Sequence, residues 1–138
     1  FQVRPELIAP AQRACEDYLA QRGADADHPE RSPLERSPRV HLGTIASGDQ
    51  FIADPTTLHG LREAIPGLLC VEMEGAAVAQ VCHEYRLPYL VIRTISDHAD
   101  NDAPEDFTSF IEHTAKEYSA GILTELLPKV VEALRAAE

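Results

Sequence analysis

Two carboxylates lie one residue apart in the stretch VEME, where an apolar run gives way to a pattern typical of a helix. Glu72 and Glu74 flank Met73, and residues i and i+2 of an extended chain point to the same face, so both carboxylates can reach one small ligand. A carboxylate accepts hydrogen bonds well from two adjacent hydroxyls, as on a ribose. It can equally cap the following helix by accepting its free amides. Spacing alone leaves both interpretations open.

A second polar group lies in RTISD, at the end of another apolar run. We expect the Asp97 carboxyl to be partly buried with a raised pKa, which would keep it able to donate a proton near neutral pH. Ser96 could fix its orientation, although an aspartate here can also simply cap a loop turn. Arg93 lies earlier in the same run, where a guanidinium needs a partner, and the VEME glutamates are the candidates. A structural ion pair would explain Arg93 as well as catalysis does.

The stretch SGDQFI carries weaker signals. Asp49 suits a turn and Phe51 suits a core, but Phe51 beside an acid and a ribose acceptor would also offer a stacking surface for a flat base. His41 and His98 have no metal-ligand spacing with cysteines or carboxylates. We therefore expect no metal site.

The elements that must position these residues alternate between strand and helix. Strand character is found in VHLGTIAS, LLCVEME and LPYLVIRTIS, and helical character in PELIAPAQRACEDYLAQRG, DPTTLHGLREAIPG and GAAVAQVCHEY. The tail from Phe107 to Ala137 is also helical in pattern, with a kink or break expected before Pro128. This alternation predicts an α/β domain with parallel strands, in which ligands bind beyond the carboxyl ends of the strands. The three polar groups above lie at such ends.

Composition excludes several classes of function. The 138 residues are enough for one domain with one core, and 12 Lys and Arg against 23 Asp and Glu give a net charge of -11, which would repel nucleic acid. No apolar run approaches the roughly 20 residues of a membrane span. Three cysteines without a paired spacing predict reduced thiols in the cytoplasm. Residues 24–39 are rich in proline and charge and predict an inserted mobile loop.

These motifs carry a resemblance to a known family. SGDQFI, VEMEGAAVAQVCHEYRLPYLVIRTISDHAD and DFTSFI resemble, in order and spacing, the C-terminal part of the 5'-methylthioadenosine/S-adenosylhomocysteine nucleosidases of the nucleoside phosphorylase superfamily. The resemblance runs from about Phe1 to the end and is interrupted only by residues 24–39. It implies a three-layer α/β/α nucleoside phosphorylase-like fold, with a mixed sheet flanked by helices and lacking here the N-terminal strands. Residues 1–138 would be the C-terminal portion of that single domain.

The resemblance also implies catalytic roles. Asp97 would protonate N7 of the adenine leaving group and Ser96 would hold Asp97 in place, while Arg93 and Glu72 would belong to the ribose and water side of the pocket. Cleavage of an N-glycosidic bond develops oxocarbenium character on the sugar, and a protonated base leaves as a neutral molecule. No cofactor is needed for this reaction.

The substrate-binding residues follow from the same resemblance. Glu74 would bind the ribose hydroxyls and Met73 would pack against the sugar. Phe51 would stack on the purine, and the backbone of Ile52 would read the edge of the base. Phe107 would lie by the 5'-alkylthio group, a residue that the family can lend across a homodimer. The implied partners are thus an adenine nucleoside and a second copy of the chain.

Two departures from the family pattern leave functions other than nucleoside hydrolysis open for this chain. The strand, glycine-rich turns and water-activating glutamate with which the family begins have no match, so we expect a missing N-terminal half and little turnover by this chain alone. His98 follows Asp97 as in some purine nucleoside phosphorylases, which leaves phosphorolysis open. A non-catalytic ligand-binding or dimerising module is the third possibility.

Overall fold

The computed structural model describes residues 1–24, 38–96 and 115–136. Within these residues the chain forms four helices and two strands, in the order α1 (Pro5–Ala24), β1 (Thr44–Ser47), α2 (Pro55–Ala64), β2 (Leu68–Glu72), α3 (Gly75–Glu84) and α4 (Ala115–Ala136). The predicted helices at α1, α2 and α3 and the first two predicted strands are confirmed. Nearly all of the predicted loop at 24–39 lies outside the described residues.

The chain divides into two compact units, one of Phe1–Val3 with Gly43–Tyr118 and the other of Arg4–Leu42 with Ser119–Glu138. In the second unit, α1 and α4 each bury one apolar face at helical spacing. The buried side chains of these two faces are Leu7, Ala11, Ala14, Cys15, Ile122 and Leu126. Gly121 allows close approach of the two helices, because a Cβ at this position would overlap the ring of Tyr18.

Helix α4 continues through Pro128, so of the kink or break predicted before this residue the break is wrong, and the kink stays a prediction. Proline lacks the N–H that would bind the carbonyl of Thr124, and a proline inside a helix costs about 3 kcal/mol. The apolar face of α4 continues past this point with the half-buried side chains of Val130 and Leu134, which favours an unbroken helix. Lys129 Nζ also donates to the backbone oxygen of Glu125 at 3.3 Å and to its carboxylate at 3.0 Å. Tertiary packing therefore outweighs the local preference of proline.

The first unit is built on a small parallel sheet. Strands β1 and β2 pair with Ile45 opposite Cys70 and Ser47 opposite Glu72, after one irregularity between Thr44 and Ile45. Helix α2 makes the connection between them. Its N-cap Asp54 accepts the N–H groups of Thr56 and Thr57, and Pro55 fits the first helical position because its missing N–H would be unpaired there anyway. Gly67 then turns the chain into β2 with a left-handed φ of 73°.

The third predicted strand, over LPYLVIRTIS, is wrong, because the structure assigns no strand to residues 87–96. An apolar run indicates that its side chains are kept away from water. A strand also needs a neighbouring strand whose backbone forms hydrogen bonds with its own N–H and C=O groups. Within the described residues the sheet has two strands, which pair with each other. No helix in the described parts of the chain is both long and apolar enough to cross a membrane.

Candidate functional site

The ends of β1 and β2 form the point where the polar motifs meet. Ser47 and Glu72, the last residues of the two strands, are partners in the parallel register. The N–H of Gly48 donates to the carbonyl oxygen of Glu72 at 3.1 Å and extends this pairing one residue further. Since α3 begins at Gly75, the strand ends lie beside the amino terminus of a helix.

Glu72 caps that helix. Both of its carboxylate oxygens lie 2.9 Å from the backbone N of Gly75, and Oε2 also accepts the N–H of Glu74 at 3.1 Å. Glu74 holds the N-cap position but makes no capping bond with its own side chain. Gly75 leaves room for this arrangement, since a Cβ there would lie 2.7 Å from Glu72 Oε1. Of the two interpretations of VEME, helix capping is the one that Glu72 adopts.

Ser47 completes the cap, and its part in the site was not predicted from the sequence. Its Oγ accepts the N–H of Ala76 at 2.9 Å. The parallel register places Ser47 opposite Glu72, and the Ser47 hydroxyl helps to lower the pKa of the Glu72 carboxyl. The sequence shows only a serine at the end of one predicted strand and a glutamate near the end of the next. The parallel register of the two strands is what places these residues opposite each other.

Arg93 bridges the two glutamates. Its Nη2 lies 2.5 Å from Glu72 Oε2 and also contacts Glu74 Oε2. The ion pair that we expected for Arg93 is therefore present. The three side chains differ in exposure, with Glu72 6% exposed, Arg93 35% and Glu74 70%. The bridge thus connects a buried carboxylate to one that faces solvent.

These contacts shift the ionisation of the buried members of the cluster. Burial by itself would raise the pKa of Glu72, but the hydrogen bonds from Ser47, Gly75 and Glu74 and the charge of Arg93 outweigh it, so the pKa is lowered. Burial would lower the pKa of Arg93, but the two carboxylates raise it. Burial, with a smaller effect of the Glu72 charge, raises the pKa of the Cys70 thiol.

The structure gives the exposure of four other predicted site residues and does not describe the remaining two. Met73 is 42% exposed between the two glutamates, and Phe51 is 47% exposed four residues after β1. Ile52 and Ser96 are half-buried. Asp97 and Phe107 lie outside the described residues. The structure therefore brings together Glu72, Glu74 and Arg93. Within the described ranges, no three His, Cys, Asp or Glu side chains lie close enough to hold a metal ion.

A comparison with known protein families identifies the superfamily to which the chain belongs. The sequence profile of the phosphorylase superfamily matches residues 2–128, and the chain belongs to this superfamily. The expected α/β fold agrees with this membership.

Within the superfamily, the chain is similar to 5'-methylthioadenosine/S-adenosylhomocysteine nucleosidases. The one from Tolumonas auensis is 42% identical over 85 residues, covering 62% of this chain and 37% of the relative. The one from Shewanella frigidimarina is 52% identical over 69 residues, covering 50% of this chain and 30% of the relative. The solved nucleosidase from Neisseria meningitidis, in complex with methylthio-immucillin-A, superposes with a TM-score of 0.72 at 32% identity.

That superposition covers 92% of this chain and 47% of the Neisseria protein. The resemblance found in the sequence motifs and the nucleoside phosphorylase-like fold that it implied are confirmed. The chain matches less than half the length of each of these relatives.

Proposed function

We propose that this chain forms part of a nucleosidase that hydrolyses the N-glycosidic bond of 5'-methylthioadenosine or S-adenosylhomocysteine and releases adenine. The observation that carries the proposal is the Glu72–Arg93–Glu74 bridge at the ends of two parallel strands, the place where an α/β sheet binds its ligands. Similarity to proteins of this named activity supports the choice of substrate.

The proposed roles divide between leaving group and sugar. Asp97 protonates N7 of adenine and Ser96 orients it, so that the base leaves as a neutral molecule. Glu74 receives the ribose hydroxyls, a role supported by its solvent-facing carboxylate. Arg93 lies on the sugar side, where it holds Glu74. Adenine would stack on the exposed ring of Phe51.

The remaining contacts are those of the base edge and the 5'-substituent. The backbone of Ile52 reads the edge of adenine, Met73 packs on the sugar, and Phe107 lies by the alkylthio group, within the chain or across a homodimer. We propose that the enzyme acts in the cytoplasm, which the three free thiols support. No cofactor takes part.

Release of adenine tests the proposal. The purified chain is incubated with methylthioadenosine in phosphate-free buffer, alone and with a polypeptide corresponding to the part of the relatives outside the match. Free adenine without phosphate supports the nucleosidase. Adenine that forms only after phosphate is added would instead establish phosphorolysis, the alternative that His98 leaves open. Binding without release under every condition would leave a ligand-binding module.

Replacing Asp97 by Asn tests the assignment of the acid. Loss of a general acid lowers the rate by about 10²- to 10⁴-fold, while ligand binding should be largely kept. The matched control is Asp17→Asn, which changes an aspartate paired with Lys129 between α1 and α4. This control should keep its rate. Turnover that survives Asp97→Asn would remove Asp97 from the mechanism.

A further inference from the structure

We propose that Ser47 is a positioning residue of this site, whose hydroxyl fixes the Glu72 carboxylate and, through Glu72 and Arg93, sets the place of Glu74. Ser47 itself contacts no substrate in this arrangement. The inference rests on the proposed function for the identity of the ligand, and on the contacts of this chain for the positioning.

The direction of each hydrogen bond at Ser47 is determined by its partners. A hydroxyl has one proton to donate and two lone pairs that accept. The backbone N–H of Ala76 can only donate, so Ser47 Oγ accepts from it at 2.9 Å. Glu72 lies opposite Ser47 in the register and accepts the neighbouring N–H of Gly75. Its ionised carboxylate can only accept, so it is the group placed to receive the serine proton. Because the register holds Ser47 opposite Glu72, the hydroxyl is fixed by the backbone of β1 and not by a flexible side chain.

The acceptor positions of the Glu72 carboxylate are occupied by groups of the protein itself. Its two oxygens accept from the amides of Glu74 and Gly75 and from the guanidinium of Arg93, and in the proposed arrangement also from the hydroxyl of Ser47. A carboxylate has about four acceptor positions, and this one is nearly buried. Glu72 therefore supports the site without contacting the sugar, a narrower role than the one the family resemblance implies for it.

The effect reaches Glu74 through Arg93. One nitrogen of Arg93, Nη2, contacts both Glu72 and Glu74, so a shift of the Glu72 carboxylate moves the group that holds Glu74. Glu72 also accepts the N–H of Glu74 and so fixes its backbone. Loss of the Ser47 hydroxyl would loosen both restraints on Glu74.

A carboxyl titration tests the first link without depending on any ligand. The ¹³C carboxyl signal of Glu72 is followed against pH in the full chain, in Ser47→Ala and in Ser47→Thr, which keeps the hydroxyl and suits a strand. The charged and titratable groups around Glu72 are Arg93, Glu74 and Cys70. We expect the pKa of Glu72 to rise toward the ordinary glutamate value of about 4.3 in Ser47→Ala and to stay low in Ser47→Thr.

The matched control is Ser119→Ala on the exposed side of α4, which should leave the Glu72 titration unchanged. Unaltered titration in Ser47→Ala would overturn the inference. If Ser47→Ala does not fold, the comparison of Ser47→Thr with Ser47→Cys, whose thiol is a weaker donor, decides the same point.

Affinity for methylthioadenosine, measured by calorimetry on the same variants, tests the link to Glu74. Loss of one supporting hydrogen bond should raise the Kd about fivefold to tenfold in Ser47→Ala. Ser47→Thr and Ser119→Ala should stay within about twofold of the unaltered chain.

An unaltered chain that binds no methylthioadenosine would refute the proposed function, and the Glu72 titration would then still decide the role of Ser47. A normal Kd in Ser47→Ala, beside an unaltered chain that binds, would overturn the positioning of Glu74 alone.

Discussion

Replacing Glu72 by glutamine removes the charge of a buried helix cap while keeping its shape. The Glu72 side chain is 6% exposed and accepts backbone N–H groups from Glu74 and Gly75. A glutamine keeps one oxygen for Gly75, but its NH₂ group then faces the N–H of Glu74 and the guanidinium of Arg93, which are both donors. At least two favourable contacts are lost.

The expected loss of stability can be worked from these contacts. A hydrogen bond to a charged group contributes about 1.5 to 3 kcal/mol, and a helix cap contributes about 1 kcal/mol. The ion pair adds less than about 1 kcal/mol, because Arg93 is partly exposed and keeps Glu74 as a partner. We therefore expect Glu72→Gln to lower the free energy of unfolding by about 3 kcal/mol near neutral pH.

The pH dependence of this loss separates charge from shape. The pKa of Glu72 is lowered in the folded chain, so its contribution is complete above the unfolded value of about 4.3 and disappears as the pH falls through the folded pKa. Urea unfolding followed by circular dichroism, with an unchanged m-value, gives the difference between the two chains at each pH. That difference should be largest near neutral pH and shrink in acid.

Glu74→Gln is the matched control, since this carboxylate is 70% exposed and its side chain makes no capping bond. It should change stability by less than about 1 kcal/mol. The interpretation of Glu72 as a charged cap fails if Glu72→Gln also costs less than about 1 kcal/mol, or if its effect is the same at about pH 7 and about pH 3.

Three further predictions concern other parts of the chain. Gly121→Ala should destabilise the chain by about 1 to 3 kcal/mol in urea unfolding, because the new methyl group overlaps Tyr18. The control Gly60→Ala lies in α2 with nothing within 4 Å of the new methyl group, and it should stabilise the chain by up to about 1 kcal/mol. Equal effects of the two substitutions would contradict the close packing of Gly121 against Tyr18. Hydrogen bonds from Thr57 and Thr56 lower the pKa of Asp54 in the folded chain. Asp54→Ala should therefore lower the urea midpoint near neutral pH, and this effect should disappear at pH values below that folded pKa. A loss of stability that persists in acid would exclude the charged cap. Cys70 should react with iodoacetamide more slowly than a free thiol in mildly alkaline buffer, because burial raises its pKa; an equal rate would contradict that burial.

The sequence predicted local structure best where short-range chemistry decides it. Asp54 and Pro55 mark the start of α2, and the predicted helix and cap are present. The two glutamates of VEME were correctly connected to Arg93, because a guanidinium in an apolar run needs a carboxylate. Each of these predictions depends on residues within one element or on a simple demand for charge.

The sequence failed where distant parts of the chain decide. Periodicity could not say that residues 87–96 lack strand pairing, since pairing depends on a neighbouring strand and not on the run itself. The predicted break at Pro128 is absent because the apolar face of α4 continues past it with the half-buried Val130 and Leu134. The part of Ser47 in the helix cap depended on the register that sets it opposite Glu72. In each case the deciding contact lies far away in sequence.

The bridge from Arg93 to Glu74 also bears on the entropy of binding. An exposed glutamate normally samples many rotamers, and a ligand that fixes it loses about 0.5 to 1.5 kcal/mol of affinity for the side chain that becomes ordered. Here Arg93, itself held by Glu72, restricts Glu74 during folding, before any ligand arrives. A ribose that meets this carboxylate finds an acceptor already in place, so most of the ordering has been transferred from the binding step to the folding of the chain.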